Sequence, residues 1–291
     1  AEKCLYMISS KQFNKEISII IANAIREDVG EGDHSSLACI SNKATGSAHL
    51  LVKDDGIIAG VAFAQQVFNF IDSTLVVDVK ITDGSPVKQG DVCFIVSGSS
   101  QSILKAERLV LNAMQRMSAI ATKTNQYVKL LESTNTKILD TRKTTPGIRA
   151  LEKWAVTIGG GENHRFALYD MIMLKDNHID FCGGVVKAIE ITKQYLKDNN
   201  LDLKIIVEAR DFNEIEQILS TTGVYRILID NFSFEDTKKA VAMIGDSCLT
   251  ESSGGITLDT IVQYAKCGVD YISSGALTHS VHNMDLSLKA I

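Results

Sequence analysis

Between Ile138 and Ile179 the chain gathers Arg142, Lys143, Arg149, Lys153, His164, Arg165 and Lys175, with the paired hydroxyls of Thr144 and Thr145 among them. The net charge of the whole chain is −5, so this positive stretch stands out as a place to bind an anion. Arginine presents a planar fork that matches a carboxylate with two bonds, while lysine acts as a compact point charge. Arg142, Arg165 and Lys175 therefore suit a small diacid. Arg149 and Lys153 read more simply as a solvated helix face. For His164 the plain alternative is a core imidazole bonded to backbone, against which the neighbours Asn163 and Arg165 favour a ligand role.

Two carboxylates, Glu208 in VEARD and Asp230 in LIDNF, stand at the ends of consecutive apolar runs. Such groups can bind sugar hydroxyls, hold Mg²⁺ through intervening water, or neutralise a nearby Arg or Lys. Asp176 is a weaker candidate for the same metal. Two turns of small residues also follow apolar runs: Ser252, Ser253, Gly254 and Gly255, then Ser274 and Gly275. Small residues let backbone N–H groups approach a phosphate, and a following helix adds a favourable dipole. The run Gly159–Gly161 reads as a loop that lets His164 and Arg165 turn inward.

These groups need a frame. Apolar strand candidates are Lys137–Leu139, Met171–Leu174, Lys204–Val207, Arg226–Ile229, Cys248–Thr250 and Tyr271–Ser273. Helical patterns at Val185–Leu196, Asn213–Leu219, Glu235–Ile244 and Leu258–Cys267 lie between most of them. Strands alternating with helices predict a parallel sheet with crossover helices. Asp140, Lys175, Glu208, Asp230, Glu251 and Ser274 follow or end the strands. Functional groups at so many strand ends favour a barrel over a sheet with one switch point. Six strands rather than eight leave closure open. The first third is α/β with a small sheet, preceded by a helix over Ile17–Arg26 and followed by a long helix over Ile103–Ala121, whose Met residues read as core and whose Arg108 reads as surface. The fold class is thus an N-terminal α/β sandwich domain plus an irregular (β/α) barrel, closed or open, that carries the active site. The expected division is 1–112, 113–275 and a C-terminal segment 276–291 that would pack back on the first domain.

Composition excludes some classes. A hydrophobic content of 45% fits a globular protein. The acidic balance argues against nucleic acid, and no apolar run reaches the length of a membrane span. The opening AEKCLYMISSKQF has no signal-peptide pattern. The cysteines at 4, 39, 93, 182, 248 and 267 form no C-x-x-C pair, so free thiols in a reducing cytoplasm are expected. There is no G-x-S-x-G, H-E-x-x-H, Walker A or G-x-G-x-x-G signature of another catalytic apparatus.

Three long segments carry a family resemblance: ILDTRKTTPGIRALEKWAV, GGGENHRFALYDMIMLKDNHI and ESSGGITLDTIVQYAKCGVDYISSGALTHS. They resemble the quinolinate phosphoribosyltransferases, the decarboxylating nicotinate-nucleotide pyrophosphorylases, and the likeness runs from about Ile25 to His279. It implies transfer of phosphoribose from 5-phosphoribosyl 1-pyrophosphate to quinolinate with loss of CO₂, giving nicotinate mononucleotide for NAD biosynthesis, with Mg²⁺. Arg142, His164, Arg165 and Lys175 match residues around quinolinate. Arg108, in ERLVLNAMQRMS, matches an arginine supplied by the neighbouring subunit of a homodimer that could assemble further. Lys143 matches a lysine near the pyrophosphate; Glu208 and Asp230 match the ribose and metal residues, and the two small-residue turns match the 5-phosphate site. Two departures stand out. Arg210 beside Glu208 could pair with that carboxylate, and Trp154 replaces a more usual Tyr, a matter of packing. A phosphoribosyltransferase for nicotinate would need fewer arginines at the second carboxylate. A mere binder of a phosphorylated metabolite would not need Arg108, Lys143, Glu208 and Asp230.

Overall fold

The computed structural model describes residues 9–291; Cys4 and the opening residues 1–8 lie outside the described residues. Twelve strands are described: β1 (Thr45–Val52), β2 (Gly56–Ile57), β3 (Val76–Val79), β4 (Pro86–Val87), β5 (Val92–Ser99), β6 (Lys137–Leu139), β7 (Ile172–Leu174), β8 (Ile205–Ala209), β9 (Arg226–Asp230), β10 (Leu249–Ser253), β11 (Tyr271–Ser273) and β12 (Leu286–Ala290). The helices are α1 (Ser10–Val29), α2 (His34–Cys39), α3 (Val61–Ile71), α4 (Ser100–Leu131), α5 (Arg149–Ile158), α6 (Asp176–Cys182), α7 (Val185–Asp198), α8 (Phe212–Leu219), α9 (Phe234–Ile244), α10 (Ile261–Lys266) and α11 (Ala276–His279).

The chain forms two compact units. The first holds residues up to Asn125, then Lys143–Gly161 and Ala276–Ile291; the second holds Gln126–Arg142 and Glu162–Gly275. The first boundary thus falls inside α4 rather than at 112, and an excursion of nineteen residues, 143–161, leaves the second unit and returns to it.

In the first unit an antiparallel sheet runs β12-β1-β5-β3. The C-terminal strand pairs with β1 from Ala48 opposite Ala290 to Val52 opposite Leu286. Helix α4 lies against the turn after β2: the Ser118 hydroxyl accepts the N–H of Ala59, and Thr122 accepts that of Ile57. Met114 and Met117 are fully buried, as a core helix face requires. The helix continues ten residues beyond Ala121, because Thr124, Tyr127 and Leu131 extend its buried stripe at three- and four-residue spacing. Gly159 and Gly161 serve this packing rather than a turn of His164. A Cβ at Gly159 would lie 2.4 Å from the Ala121 carbonyl oxygen, and one at Gly161 would lie 2.8 Å from Thr124. Trp154 fills space edge-on to Phe13, with ring centroids 5.3 Å apart.

In the second unit all six expected strands are present in one parallel sheet, ordered β6-β11-β10-β9-β8-β7. That is the cyclic order of a barrel interrupted once, between β6 and β7. An isolated parallel bridge from Leu139 to Glu162 covers part of the free edge of β6. Helices α7, α8 and α9 return the chain between successive strands from β7 to β10, so the strands are covered and read as continuous apolar runs. Ile206, Val207, Ile227, Ile229 and Ile272 are fully buried. Helix α6 was not foreseen: DNHIDFC has no apolar period, and it forms behind Lys175 as one short segment closed by Gly183.

Candidate active site

The C-terminal ends of the parallel strands bring together the acids and bases of the second unit. At the end of β6, the buried Asp140 carboxylate accepts the N–H of His164 at 2.8 Å and the Asn163 side-chain amide at 2.5 Å. This fastens the returning chain beside the strand. Downstream, Asp170 accepts the N–H groups of Phe166 and Ala167, closing a loop that presents Arg165. Arg165 is buried and donates to the Met171 carbonyl at 3.3 Å. Burial, and then the like charge of Arg142, push its guanidinium down from its ordinary range, while Asp170 pulls it back. Two arginines close enough to repel make a site that a dianion would relieve.

His164 is buried with both ring nitrogens turned to the protein. Nδ1 accepts the N–H of Arg165 at 2.7 Å, which places the ring proton on Nε2, 3.4 Å from Glu251. The ring therefore has the geometry of a core imidazole bonded to backbone, and through that bond it orients Arg165. Glu251 has no solvent exposure and accepts from Arg226 at 2.7 Å. Burial by itself would push this carboxyl up; His164 and Arg226 outweigh it and hold it at about 2. Arg226 in turn stacks on Tyr271, 4.0 Å from the ring centroid. Glu251 was legible as a strand-end acid opening the ESSGG turn, whereas Arg226 showed only as a charge at the start of an apolar strand.

Glu208 and Asp230 lie on the adjacent parallel strands β8 and β9. Burial raises the Glu208 carboxyl, the charges of Asp230 and Asp176 raise it further, and Lys175 together with the N–H of Asp176 opposes them. Glu208, Asp230, Asp176 and Lys175 thus share one neighbourhood. Three oxygen-bearing acids that repel one another fit a hard cation that keeps much of its water, although among the described residues no group of three or more His, Cys, Asp or Glu is set to hold a metal directly. Arg210 does not touch this group. Its guanidinium is taken by Glu214 and Asp180, with bonds of 2.9–3.0 Å to Asp180.

The turn after β10 is tied to Asp230. Ser253 donates to one Asp230 oxygen at 2.7 Å, and Asn231, itself at φ +56°, donates to the other. Gly254 has φ +96°, and a Cβ there would meet Asn231 Oδ1 at 2.1 Å, so no other residue fits. Ser252 is almost wholly buried, whereas Ser253, Gly254 and Gly255 reach the surface to differing degrees. The turn is not followed directly by a helix: α10 begins only at Ile261, so a phosphate here would meet backbone N–H groups rather than a helix dipole. Ser274 donates its N–H to the Leu139 carbonyl, and Gly275 precedes the single turn of α11.

The remaining predicted residues lie in the first unit. Arg108 is exposed on α4, and Lys143 opens the excursion that follows Arg142. Lys153 departs from expectation: it is fully buried, as is Glu152 beside it, so this stretch of α5 is no solvated face. Arg149 donates to Thr144.

Residues 33–118 match the quinolinate phosphoribosyl transferase N-terminal domain, and residues 120–289 match the C-terminal domain of the same family. The chain belongs to the quinolinate phosphoribosyltransferase family. It is 43% identical over 289 residues to "Quinolinate phosphoribosyltransferase [decarboxylating] 2b, mitochondrial" of Nicotiana tabacum, covering 94% of this chain and 82% of that protein. It is 37% identical to a probable carboxylating nicotinate-nucleotide pyrophosphorylase of Bacillus subtilis, covering 90% of this chain and 89% of the relative. Among solved structures, NadC from Streptococcus pyogenes superposes with a TM-score of 0.87 at 36% identity, covering 98% of this chain and 99% of that one. The likeness to the Pyrococcus furiosus pyrophosphorylase, TM-score 0.67 at 16% identity, shows the shared fold alone. Among the described residues no helix is long and apolar enough to cross a membrane.

Proposed function

We infer that this family member transfers the 5-phosphoribosyl group of 5-phosphoribosyl 1-pyrophosphate to the ring nitrogen of quinolinate and releases CO₂, giving nicotinate mononucleotide and pyrophosphate for NAD biosynthesis. The observation that carries the reading to named residues is the opposition within one sheet: Arg165 crowded by Arg142 at one group of strand ends, Glu208 crowded by Asp230 at another. The first suits a dicarboxylate. The second suits a sugar carbon that gains positive charge.

In this reading Arg142, Arg165 and Lys175 hold the two carboxylates and aim the pyridine nitrogen at ribose C1. His164 serves by holding Arg165. Glu208 and Asp230 stabilise C1 as the bond to pyrophosphate breaks, and Lys143 neutralises the departing phosphates. The ring nitrogen attacks with its own lone pair from the opposite face. Once quaternised, it draws the electrons of the C2–carboxylate bond, CO₂ leaves, and C2 takes a proton. Ser253, Gly254, Gly255, Ser274 and Gly275 receive the 5-phosphate, with Ser252 supporting the turn from beneath. Glu208, Asp230 and Asp176 would hold Mg²⁺ largely through water, and the bound ion would supply further neutralisation of the pyrophosphate. Positioning and fixed charge of this kind account for large rate factors without a covalent intermediate.

Arg108, exposed in the single chain, is assigned to the site of a partner subunit in a homodimer. Mixing Arg108→Ala with Lys175→Ala protein should restore part of the activity through hybrid dimers; none after confirmed subunit exchange would remove Arg108 from that role. We assign the enzyme to the cytoplasm, a reading supported by the free thiols of the five described cysteines. Relatives named mitochondrial or chloroplastic make an organelle the competing outcome of a localisation experiment.

The reaction is tested with Mg²⁺, phosphoribosyl pyrophosphate and quinolinate labelled in its 2-carboxylate, beside a nicotinate control. Labelled CO₂ and nicotinate mononucleotide from quinolinate alone are expected. Turnover of nicotinate instead, or binding of both substrates without product, would overturn the assignment.

A further inference from the structure

We propose that Arg116 is a positioning residue for Lys143, acting through Glu152, Thr145 and Thr278. The proposal rests on the reading of Lys143 as the lysine that meets the pyrophosphate. All of these residues belong to the first unit.

The stretch from Asp140 to Ile148 is neither helix nor strand. At its ends the N–H of Asp140 donates to the Glu162 carbonyl and that of Ile148 to the Thr145 carbonyl; between them, side chains take the Lys143 carbonyl and the Thr145 N–H. Arg116 organises that hold. Its Nε donates to Glu152 Oε1 at 3.0 Å, and Nη2 lies 3.0 Å from the same oxygen. Nη2 also donates to the Thr278 carbonyl at 2.5 Å. From there two arms reach the loop. The Thr278 hydroxyl donates to the Lys143 carbonyl at 2.8 Å. The Glu152 carboxylate accepts the Thr145 N–H at 3.0 Å and the Thr145 hydroxyl at 2.8 Å.

The consequence is geometric. The Lys143 carbonyl belongs to the peptide before Thr144, and the Thr145 N–H belongs to the peptide after it. Both peptide planes flanking Thr144 are therefore pinned, and the first of them also carries the Cα of Lys143, so the Thr278 bond holds the backbone on the C-terminal side of Lys143 from which its side chain departs. Glu152 and Thr278 have no solvent exposure, so these bonds do not compete with water. Arg116 must point donors at a carboxylate and at a carbonyl on different segments, which a guanidinium fork can do and an ammonium cannot do with the same geometry. A bystander ion pair would need only Glu152; here one of its donors is spent on Thr278, whose hydroxyl ends on Lys143.

The experiment compares Thr278→Val with Thr278→Ser, with kcat and KM measured for each substrate and melting followed in parallel. Valine keeps the shape and the backbone carbonyl that Arg116 uses, but loses the bond to Lys143. Thr278→Val should lower kcat/KM for phosphoribosyl pyrophosphate about tenfold, the scale expected for a misaimed group. The KM for quinolinate should stay within about twofold. Thr278→Ser should behave as wild type, and Arg116→Lys should show the larger loss with the same substrate bias. Adding Thr278→Val to Lys143→Ala should do no further harm, because both act through one side chain. Equal effects on both substrates, no effect of Thr278→Val, or additive losses in the double variant would overturn the proposal. Wild-type Lys143 is tested separately: if Lys143→Ala leaves phosphoribosyl pyrophosphate kinetics unchanged, it is the reading of Lys143 that fails.

Discussion

Two glutamates without solvent exposure, Glu251 and Glu152, are each paired with an arginine, yet they hold different things. Glu251 sits in a parallel strand and meets the side chains of Arg226 on the next strand and of His164. The sheet already fixes the backbone, so this pair orients side chains. Glu152 sits in the first turn of α5 and accepts a backbone N–H and a hydroxyl from an irregular loop. There the pair fixes the backbone itself. The surroundings differ too: Arg226 is nearly buried, whereas the Arg116 side chain is 24% exposed. One charge-pair chemistry thus serves a sheet by aiming groups and a loop by replacing the ladder it lacks.

The largest break in this comparison should come from Glu251→Gln. Removing one partner of a buried pair leaves Arg226 uncompensated and should destabilise the protein by about 3–5 kcal/mol in urea unfolding. The same carboxyl gives a pH signature. It is held at about 2 against an ordinary 4.5, so its stabilisation is full above about pH 4.5 and drains as pH falls toward 2. Acid unfolding of Glu251→Gln should lack that part of the slope.

Glu152→Gln should be milder, about 1–3 kcal/mol, since Arg116 can turn to water and only part of the hydrogen bonding is lost. An equal loss in the two variants would mean that exposure of the arginine is not what separates them. His164 sharpens the contrast in function. Asparagine can replace Nδ1 as acceptor for the Arg165 N–H, while glutamine places its amide at the Nε2 end. His164→Asn should therefore keep the KM for quinolinate within a few-fold, on the scale of one neutral hydrogen bond, and His164→Gln should raise it more; the reverse ranking would make His164 a direct ligand through Nε2. The smallest effect on stability belongs to Glu208→Gln. Glu208 is raised by burial and by Asp230 and Asp176, so its ionised form is disfavoured in the fold above its ordinary range. Removing the charge should raise the melting temperature slightly at neutral pH without added metal, and turnover should be lost; a fall in melting temperature would show that the carboxylate supports the fold.

Much of the frame was legible in the residues. The six apolar runs between Lys137 and Ser273 all became neighbouring parallel strands, because continuous apolar runs bounded by turns are a local signal that covered strands require. The acids and bases that end them were legible for the same reason. Helix ends were less so. The first turn of α1 is polar, and the buried stripe in the tail of α4 begins with the polar Thr124, so both helices extend beyond the apolar pattern that betrays them. Side-chain partners were the least legible. Lys153 looked like half of a solvated face and is buried, and Arg210 looked like a partner for its neighbour Glu208 and reaches Glu214 and Asp180 instead.

By itself, then, the sequence determined the parallel α/β unit, the polar strand ends and the motifs of the quinolinate phosphoribosyltransferase family, since apolar period, turn residues and motif order are all written locally along the chain. Tertiary structure alone decided which charges meet. Arg116 finds Glu152 36 residues away and Thr278 162 residues away, and Glu251 finds Arg226 and His164 from other segments of its own unit. Such partners are chosen when packing removes water from charged groups, leaving each buried charge to be answered by whatever the fold brings within reach.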